Sequence, residues 1–529
     1  MPTDYLAGHY VLDIAGNAVD RRKFQDLLSP EGNWDAAMGH EWSEPAKQLY
    51  GLLRQRCKTV IVEINYKDRD FTASFARFFH RRHHETPRRC VRLHYFGVPI
   101  ESSKVAEYLF SLPSEVADNY LGFTVLRPLP RHHMGRSILS ESLLDPASEF
   151  LTCVAEYSVN LLGNPLTVHG APWMQQDGLV SACASAALWV VGFHMSHKFS
   201  PEYQPYSTAQ ITDFAHQASS SLGRPMPSLG LTTEQMLHCL TLMGFEPVLI
   251  TPTSAADAVR QVYYYIESGI PVVLSLTYPD EKAHAVTVVG HNIKAQPSYV
   301  TETRQIQHEE GTVSERKFCR SSDLVGYFLV QDDDGGPYRR VYFRDSDGSS
   351  CTATLFGTHE SAREEILALS AILVPFPTGV LIDGEAAEDR AMSFVSSVSV
   401  LLDQPLPDPT LARTFLQLSN LYKQQWDPHE GRPTSVGRHA RCHLLSKWVW
   451  ITELADAKTW ADAGRVLGEV VQDGASYAIQ IDTGHATDFL LWHMPTYMNV
   501  IDTLGNIEGI EGVAYRDYRR LARLDQRRA

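Results

Sequence analysis

The run His284-Ala-Val-Thr-Val-Val-Gly-His291 decides how this chain is read. A histidine opens a short stretch dominated by β-branched residues, and a glycine near its end breaks the run. The stretch is too short to compete as a helix and reads as a buried strand. At that opening position the imidazole can stand at the edge of a sheet and face a helix N-terminus. Upstream, Tyr265-Ile-Glu-Ser-Gly-Ile-Pro-Val-Val-Leu-Ser-Leu276 leads into a second strand-like run at 271–276, and a third covers 246–250. Downstream, Tyr327-Phe-Leu-Val-Gln-Asp332-Asp-Asp-Gly335-Gly-Pro-Tyr338 is a strand that ends in a carboxylate-rich turn. An acid there can hold a neighbouring imidazole in one orientation and stabilise its protonated form. Alone, the acidic run is a solvated turn or a cation-binding loop, and a lone histidine before a strand is unremarkable.

The partner these two segments need lies earlier, in Gln175-Gln-Asp-Gly-Leu-Val-Ser-Ala-Cys183-Ala-Ser-Ala-Ala-Leu-Trp-Val190. Cys183 opens a run of small and apolar residues that predicts a helix over 181–194. A thiol at a helix N-terminus feels the positive end of the dipole, which favours the thiolate. Small residues behind it let the helix pack closely and let a substrate approach. By itself, such a cysteine is more often a buried structural thiol.

In the order Cys, His, Asp, the three segments resemble the papain-like cysteine peptidases. HAVTVVGH is similar to that family's His-Ala-Val-x-x-Val-Gly-Tyr strand. YFLVQDDDG is similar to its Tyr-Trp-x-Val-Lys-Asn-Ser-Trp-Gly strand, which sets Asp332 at the Asn position. CASAALW, with GLTTEQMLHCLTLMGFEPVL and IESGIPVVLSL, is closer to the branch of the bacteriocin-processing peptidases, with Ala184 in place of a Gly. The resemblance covers residues 165–375. It implies a papain-like core, a helix carrying Cys183 packed on an antiparallel sheet carrying His284 and Asp332. It implies acyl transfer by a Cys183 nucleophile, a His284 acid/base and an Asp332 orienter, with Asp333 as the alternative acid. The family's oxyanion glutamine lies about six residues before the cysteine. Gln176 is seven before and is favoured over Gln175 at eight. Alternation along a strand points Asp333 away from the side that Asp332 faces. No metal or organic cofactor is implied.

Composition bounds the rest. The 529 residues carry 47 Lys+Arg and 62 Asp+Glu, a net charge of −15. An apolar share of 44% and a charged share of 21% exclude a mainly disordered chain. The acidic balance argues against a dedicated nucleic-acid binder. The apolar runs fall well short of the ~20 residues a membrane span needs. The first residues hold acids and no basic stretch before an apolar core, so no secretory signal is expected. The eight cysteines form no CxxC pair and no zinc-ligand spacing. Reduced thiols in a cytoplasmic, bacterial protein are the expectation.

The predicted organisation is α+β in three parts. Residues 1–150 form an α/β region of unknown role, with strands at 58–64, 91–96 and 120–126 and a helix at 70–79. Residues 151–375 form the peptidase domain, including a helix at 232–243 and a long polar loop or flap at 293–322. Residues 376–529 form a mixed accessory domain, with helices near 386–402 and 409–424, a strand at 467–471 and a basic, frayed helical tail at 516–529. His80, His83 and His84 have helical metal-ligand spacing but no carboxylate or thiol beside them, so a solvated basic face is expected. The partner implied is a protein or peptide substrate, chosen or restrained through the flanking regions. Peptide or isopeptide hydrolysis leads the functional expectations. An acyltransferase of the same fold and a non-catalytic papain-like scaffold are the alternatives.

Overall fold

A computed structural model describes residues 8–28, 42–81, 86–129, 131–180, 182–217, 230–294, 298–307, 313–346, 350–359, 362, 364–398, 406–426, 440–457, 465–475, 489–494, 496–501, 507–513 and 519–520. The protein is mixed α and β with predominantly antiparallel sheets. It divides into two compact units. One comprises Met1–Ala255, Gly269–Asn292 and Tyr327–Pro375; the other comprises Ala256–Ser268, Ile293–Gly326 and Phe376–Ala529. Among the described residues, no helix is long and apolar enough to cross a membrane.

The first unit opens with strands β1 (His9–Asp13), β2 (Thr59–Tyr66), β3 (Cys90–Phe96), β4 (Tyr120–Leu126) and β5 (Met134–Ser140). A short β6 (Glu149–Leu151) follows, then β7 (Ala155–Leu161) and β8 (Asn164–Trp173). Seven of these make one sheet in the order β1-β2-β3-β4-β5-β8-β7, and every pairing is antiparallel. The boundary expected at residue 150 therefore falls inside this unit, because β8 hydrogen-bonds onto β5 and completes the sheet begun by residues 9–126. Helices α1 (Ala18–Leu28), α2 (Glu44–Leu53), α3 (Arg69–Arg77) and α4 (Ser114–Asp118) fill the connections.

After β8 come α5 (Cys183–Lys198), α6 (Thr208–Gln217) and α7 (Thr233–Leu242), with a Thr232–Gln235 capping box at the start of α7. Strand β9 (Val248–Ile250), helix α8 (Ala255–Glu267), and strands β10 (Val272–Thr277) and β11 (Ala283–Ile293) follow. The chain then forms β12 (Glu302–Gln307) and β13 (Val313–Arg320) before returning as β14 (Val325–Asp332), β15 (Gly336–Ser346), β16 (Ser350–Phe356) and β17 (Glu365–Val374). Strands β10-β11-β14-β15-β16-β17 lie in that order, and β10 also pairs β17, so six strands close on themselves. Closure removes the open edges of the sheet. Gly290 sits where β6 approaches β11, and a Cβ there would lie 2.3 Å from the Phe150 carbonyl oxygen.

The polar stretch 293–322, expected as a loop, instead contains the hairpin β12–β13. Strand β13 also pairs in parallel with β18 (Thr410–Leu418). Phe318 and Cys319 are buried, and Phe318 packs with Ala391, Met392, Val395, Leu454 and Val470. Among its described side chains Thr303, Gln305, Val313, Glu315 and Lys317 are exposed, and two buried positions near its end, Phe318 and Cys319, anchor it.

The rest of the second unit is helix α9 (Gly384–Val398), strand β18, helix α10 (Ser419–Gln424), and strands β19 (Trp448–Asp456), β20 (Arg465–Asp473), β21 (Phe489–Met494), β22 (Thr496–Ile501), β23 (Ile507–Val513) and β24 (Arg519–Arg520). The helix expected over 409–424 is a strand for its first nine residues. The run Thr410-Leu-Ala-Arg-Thr-Phe-Leu-Gln-Leu418 mixes polar and apolar residues without a clear period, and pairing with β13 and β19 decides it. Within the tail, Arg519–Arg520 pair with β20, and residues 521–529 lie outside the described residues. Helix α8 belongs here as well. Its Glu267 meets Arg413 at 2.6 Å, its Tyr264 hydroxyl donates to Glu388, and its Tyr265 ring packs on Phe376 and Trp450.

Candidate active site

Cys183 is the first residue of α5, after Ala182 in extended conformation. Its exposure is intermediate, whereas α5 is buried from Ala184 to Ser196. A helix apolar all round must be enclosed, and α5 packs against β7, β8 and β10. Polar groups fix its register. Trp189 Nε1 donates to Asp70 Oδ1 at 3.1 Å, and Thr287 Oγ1 on β11 donates to the Ala187 carbonyl at 3.0 Å. The second bond ties the cysteine helix to the histidine strand.

His284 stands at the start of β11, opposite Leu276 of β10, and is buried. Its Nε2 lies 3.0 Å from Asp332 Oδ1, and Cys183 is near enough to the ring to favour its protonated form. Asp332, the last residue of β14, is fully engaged. Oδ1 also accepts the Asp334 N–H at 3.0 Å, Oδ2 accepts from Arg339 Nη1 at 2.6 Å, and the main-chain carbonyl accepts from Trp173 Nε1 at 2.7 Å. Gly335 makes this possible, since a Cβ there would fall 2.2 Å from Arg339 Cδ and block the return of the guanidinium.

Electrostatics follow the geometry. Burial works against a charged His284 ring, but the charge of Asp332 and the bonds to Asp332 and Cys183 outweigh it and hold the histidine well above its usual pKa. Burial likewise opposes an ionised Asp332, yet His284 and Arg339 keep its carboxyl well below the usual range. The resting pair is an imidazolium held by a carboxylate.

Asp333 does not turn away. A register shift between Val330 and Asp332 breaks the period-two alternation, and Asp333 is buried beside the same imidazole. One donor atom each from His284, Asp332 and Asp333 lies within 4.8 Å of the others. Among the described residues, none hydrogen-bonds either Asp333 carboxylate oxygen. Burial first, then the charge of Asp334, push its carboxyl well above the usual range, so it is held neutral.

The two glutamines separate. Gln175 is buried, and its Oε1 accepts the Met134 N–H at 3.3 Å, inside the sheet. Gln176 is half-buried, and its Nε2 donates to Asp334 Oδ1 at 3.2 Å, on the acidic turn. Arg127 clamps this loop from β4, donating to the carbonyls of His132, Met134, Gln175 and Gln176. Asp177 Oδ1 accepts the N–H groups of Leu179 and Val180 at 2.9 and 2.7 Å and folds the chain toward the helix. On the other flank, Gln48 of α2 donates to the Pro337 carbonyl at 3.0 Å and accepts the Thr358 N–H. Residues 1–150 thus buttress both the glutamine loop and the acidic turn. Arg127, Arg339 and Gln48 carry no recognisable spacing, and only the Asp-rich turn hinted that a cation would be needed near it.

His83 and His84 lie outside the described residues, and His80 Nδ1 contacts the Phe75 carbonyl at 3.1 Å. Comparison with protein-family models, curated proteins and solved structures gives no match.

Proposed function

We propose that this chain is a cysteine peptidase or isopeptidase of papain-like architecture, acting on a protein or peptide substrate. One observation carries the reading: His284 Nε2 lies 3.0 Å from Asp332 Oδ1, and the partly exposed Cys183 at the start of α5 neighbours the same ring and helps hold its proton. Nucleophile, acid/base and orienting acid stand in relay, the arrangement that acyl transfer requires. A cysteine helix tied to a closed antiparallel sheet that bears the His and the Asp supports the fold assignment.

The chemistry follows from the residues in place. The Cys183 sulfur, as the thiolate partner of the His284 imidazolium, attacks the scissile carbonyl carbon to form a C–S bond, and charge develops on the carbonyl oxygen. The Cys183 backbone N–H at the helix start and the second amide hydrogen of Gln176 receive that charge. His284 gives its proton to the departing amine as the C–N bond breaks. Neutral His284 then takes a proton from water, whose oxygen attacks the thioester and releases the acid. Asp332, fixed by Arg339, keeps the imidazole aimed through both half-reactions.

The test is a comparison of cleaved proteins between cells carrying the wild-type protein and cells carrying Cys183→Ala, followed by kinetics on the candidate peptides. Cleavage that depends on Cys183 and His284 is expected. Products formed only when an amine is supplied would move the assignment to acyl transfer. Cleavage unchanged in Cys183→Ala would remove it.

A further inference from the structure

Acyl transfer by Cys183, His284 and Asp332 gives Asp334 no part, yet Asp334 touches both halves of the site. Its main-chain N–H donates to Asp332 Oδ1 at 3.0 Å, and that same oxygen lies 3.0 Å from His284 Nε2. Its own carboxylate oxygen Oδ1 accepts from Gln176 Nε2 at 3.2 Å. One residue joins the acid that orients the imidazole to the glutamine that receives the oxyanion.

Gln176 needs such a partner. Arg127 donates to the Gln176 carbonyl at 3.2 Å, which holds the backbone and leaves the side chain to be held separately. Gln176 is half-buried, so packing alone does not lock its long side chain. Ordering that chain costs rotamer entropy, which some contact must offset. The amide can also turn over, exchanging its nitrogen for its oxygen. Turned the wrong way, it presents a carbonyl oxygen to the developing oxyanion and repels it. An ionised carboxylate only accepts hydrogen bonds, so Asp334 selects the orientation with the nitrogen in place. Nε2 carries two hydrogens. Asp334 takes one and leaves the other for the substrate oxygen.

We propose that Asp334 is a positioning residue for acyl transfer: its carboxylate sets the orientation of the Gln176 amide, and its N–H bond to Asp332 sets its own place. It touches no reacting atom and acts only through Gln176. The oxyanion donor and the imidazole then share one anchor, the segment 332–334, and move together. The role rests on the peptidase reading of the site.

The experiment uses the full-length protein and p-nitrophenyl acetate, an ester whose cleavage by a thiolate passes through a tetrahedral anion. Gln176→Ala removes the donor itself and should lower kcat by about 10²-fold or more. Asp334→Ala keeps the main-chain N–H to Asp332 and removes only the bond to Gln176. It should lower kcat about tenfold and change KM by less than about twofold, the mark of an interaction made in the transition state. In the Gln176→Ala background the same substitution should cost nothing further, within about twofold. Asp334→Asn keeps an acceptor but offers a donor as well, so it should recover part of the loss. Circular dichroism confirms that each variant is folded. Wild-type kcat in Asp334→Ala overturns the role, and so does an equal loss from Asp334→Ala with and without Gln176. If Cys183→Ala cleaves the ester as fast as wild type, the peptidase reading falls and this role falls with it. If cleavage needs Cys183 while Asp334→Ala matches wild type, the role alone falls.

Discussion

Arg339 Nη1 lies 2.6 Å from Asp332 Oδ2, on the opposite carboxylate oxygen from the one that meets His284. Both side chains are buried, so each depends on the other. Removing one partner of a buried pair strands the other charge, at a cost of about 3–5 kcal/mol. Arg339→Met should therefore lower Tm and activity together. Asp332→Asn keeps the shape but leaves the Arg339 charge without its partner, so it should lower Tm as well, and it should cut kcat/KM by about 10²–10⁴ because the imidazole loses its orienting charge. Kinetics and thermal melts on the two variants check this; wild-type kcat/KM in Asp332→Asn would take the residue out of the reaction.

Cys183 should alkylate faster than the other cysteines, because it is partly exposed at a helix start beside His284. Burial pushes the thiols of Cys57, Cys90, Cys239 and Cys319 up to about 12, so they stay protonated and shielded. Exposed Cys442 is open to the reagent and serves as the comparison. His284→Ala should slow the labelling of Cys183 and leave that of Cys442 unchanged. Site-resolved iodoacetamide labelling across pH measures it, and a Cys183 profile unchanged in His284→Ala would separate the two residues.

The β12–β13 hairpin should behave as core-anchored structure. Phe318→Ala should destabilise the second unit by about 3–5 kcal/mol, the cost of emptying a buried aromatic site. Replacing residues 302–320 by a short turn should lower Tm further, because β18 loses its parallel neighbour. Melting curves decide: a shortened chain with wild-type Tm would make the hairpin dispensable.

Asp70 gives stability a pH dependence. Burial, followed by the charge of Asp68, pushes its carboxyl up to about 6. An unfolded aspartate titrates near 3.9. The native state holds this proton more tightly, so the group's contribution is complete below about pH 4 and is lost as pH rises through about 6. Asp70→Asn keeps an acceptor for Trp189 Nε1 and removes the buried charge. Above about pH 6 it should be more stable than wild type, on the order of 1–3 kcal/mol, and below about pH 4 it should gain nothing. Tm measured against pH is the check; a pH-independent difference would exclude the titration.

Local signals carried the reading of the chemistry. Cys183 opens its helix, His284 opens its strand and Asp332 ends one, because each position is set by short-range pattern and turn residues. Relations made across long sequence separations were invisible. Nothing near Arg127 announces that its guanidinium will hold the Gln175 and Gln176 carbonyls, 48 and 49 residues away. The face chosen by Asp333 depends on one slipped residue in β14, which alternation cannot foresee. Strand β18 carries no local mark of its pairing, because both its neighbours, β13 and β19, lie far from it in sequence.

Helix α8 has a practical consequence. It lies between β9 and β10 in the sequence, yet Tyr264, Tyr265 and Glu267 find their partners at Glu388, at Phe376 and Trp450, and at Arg413. A fragment ending at residue 375 would keep the cysteine, the histidine and both acids while losing every one of those partners. The proposed active site therefore cannot be isolated by trimming the C-terminus. Expression trials should carry the chain at least through β20, and a silent short fragment would report a misfolded helix before it reported anything about catalysis.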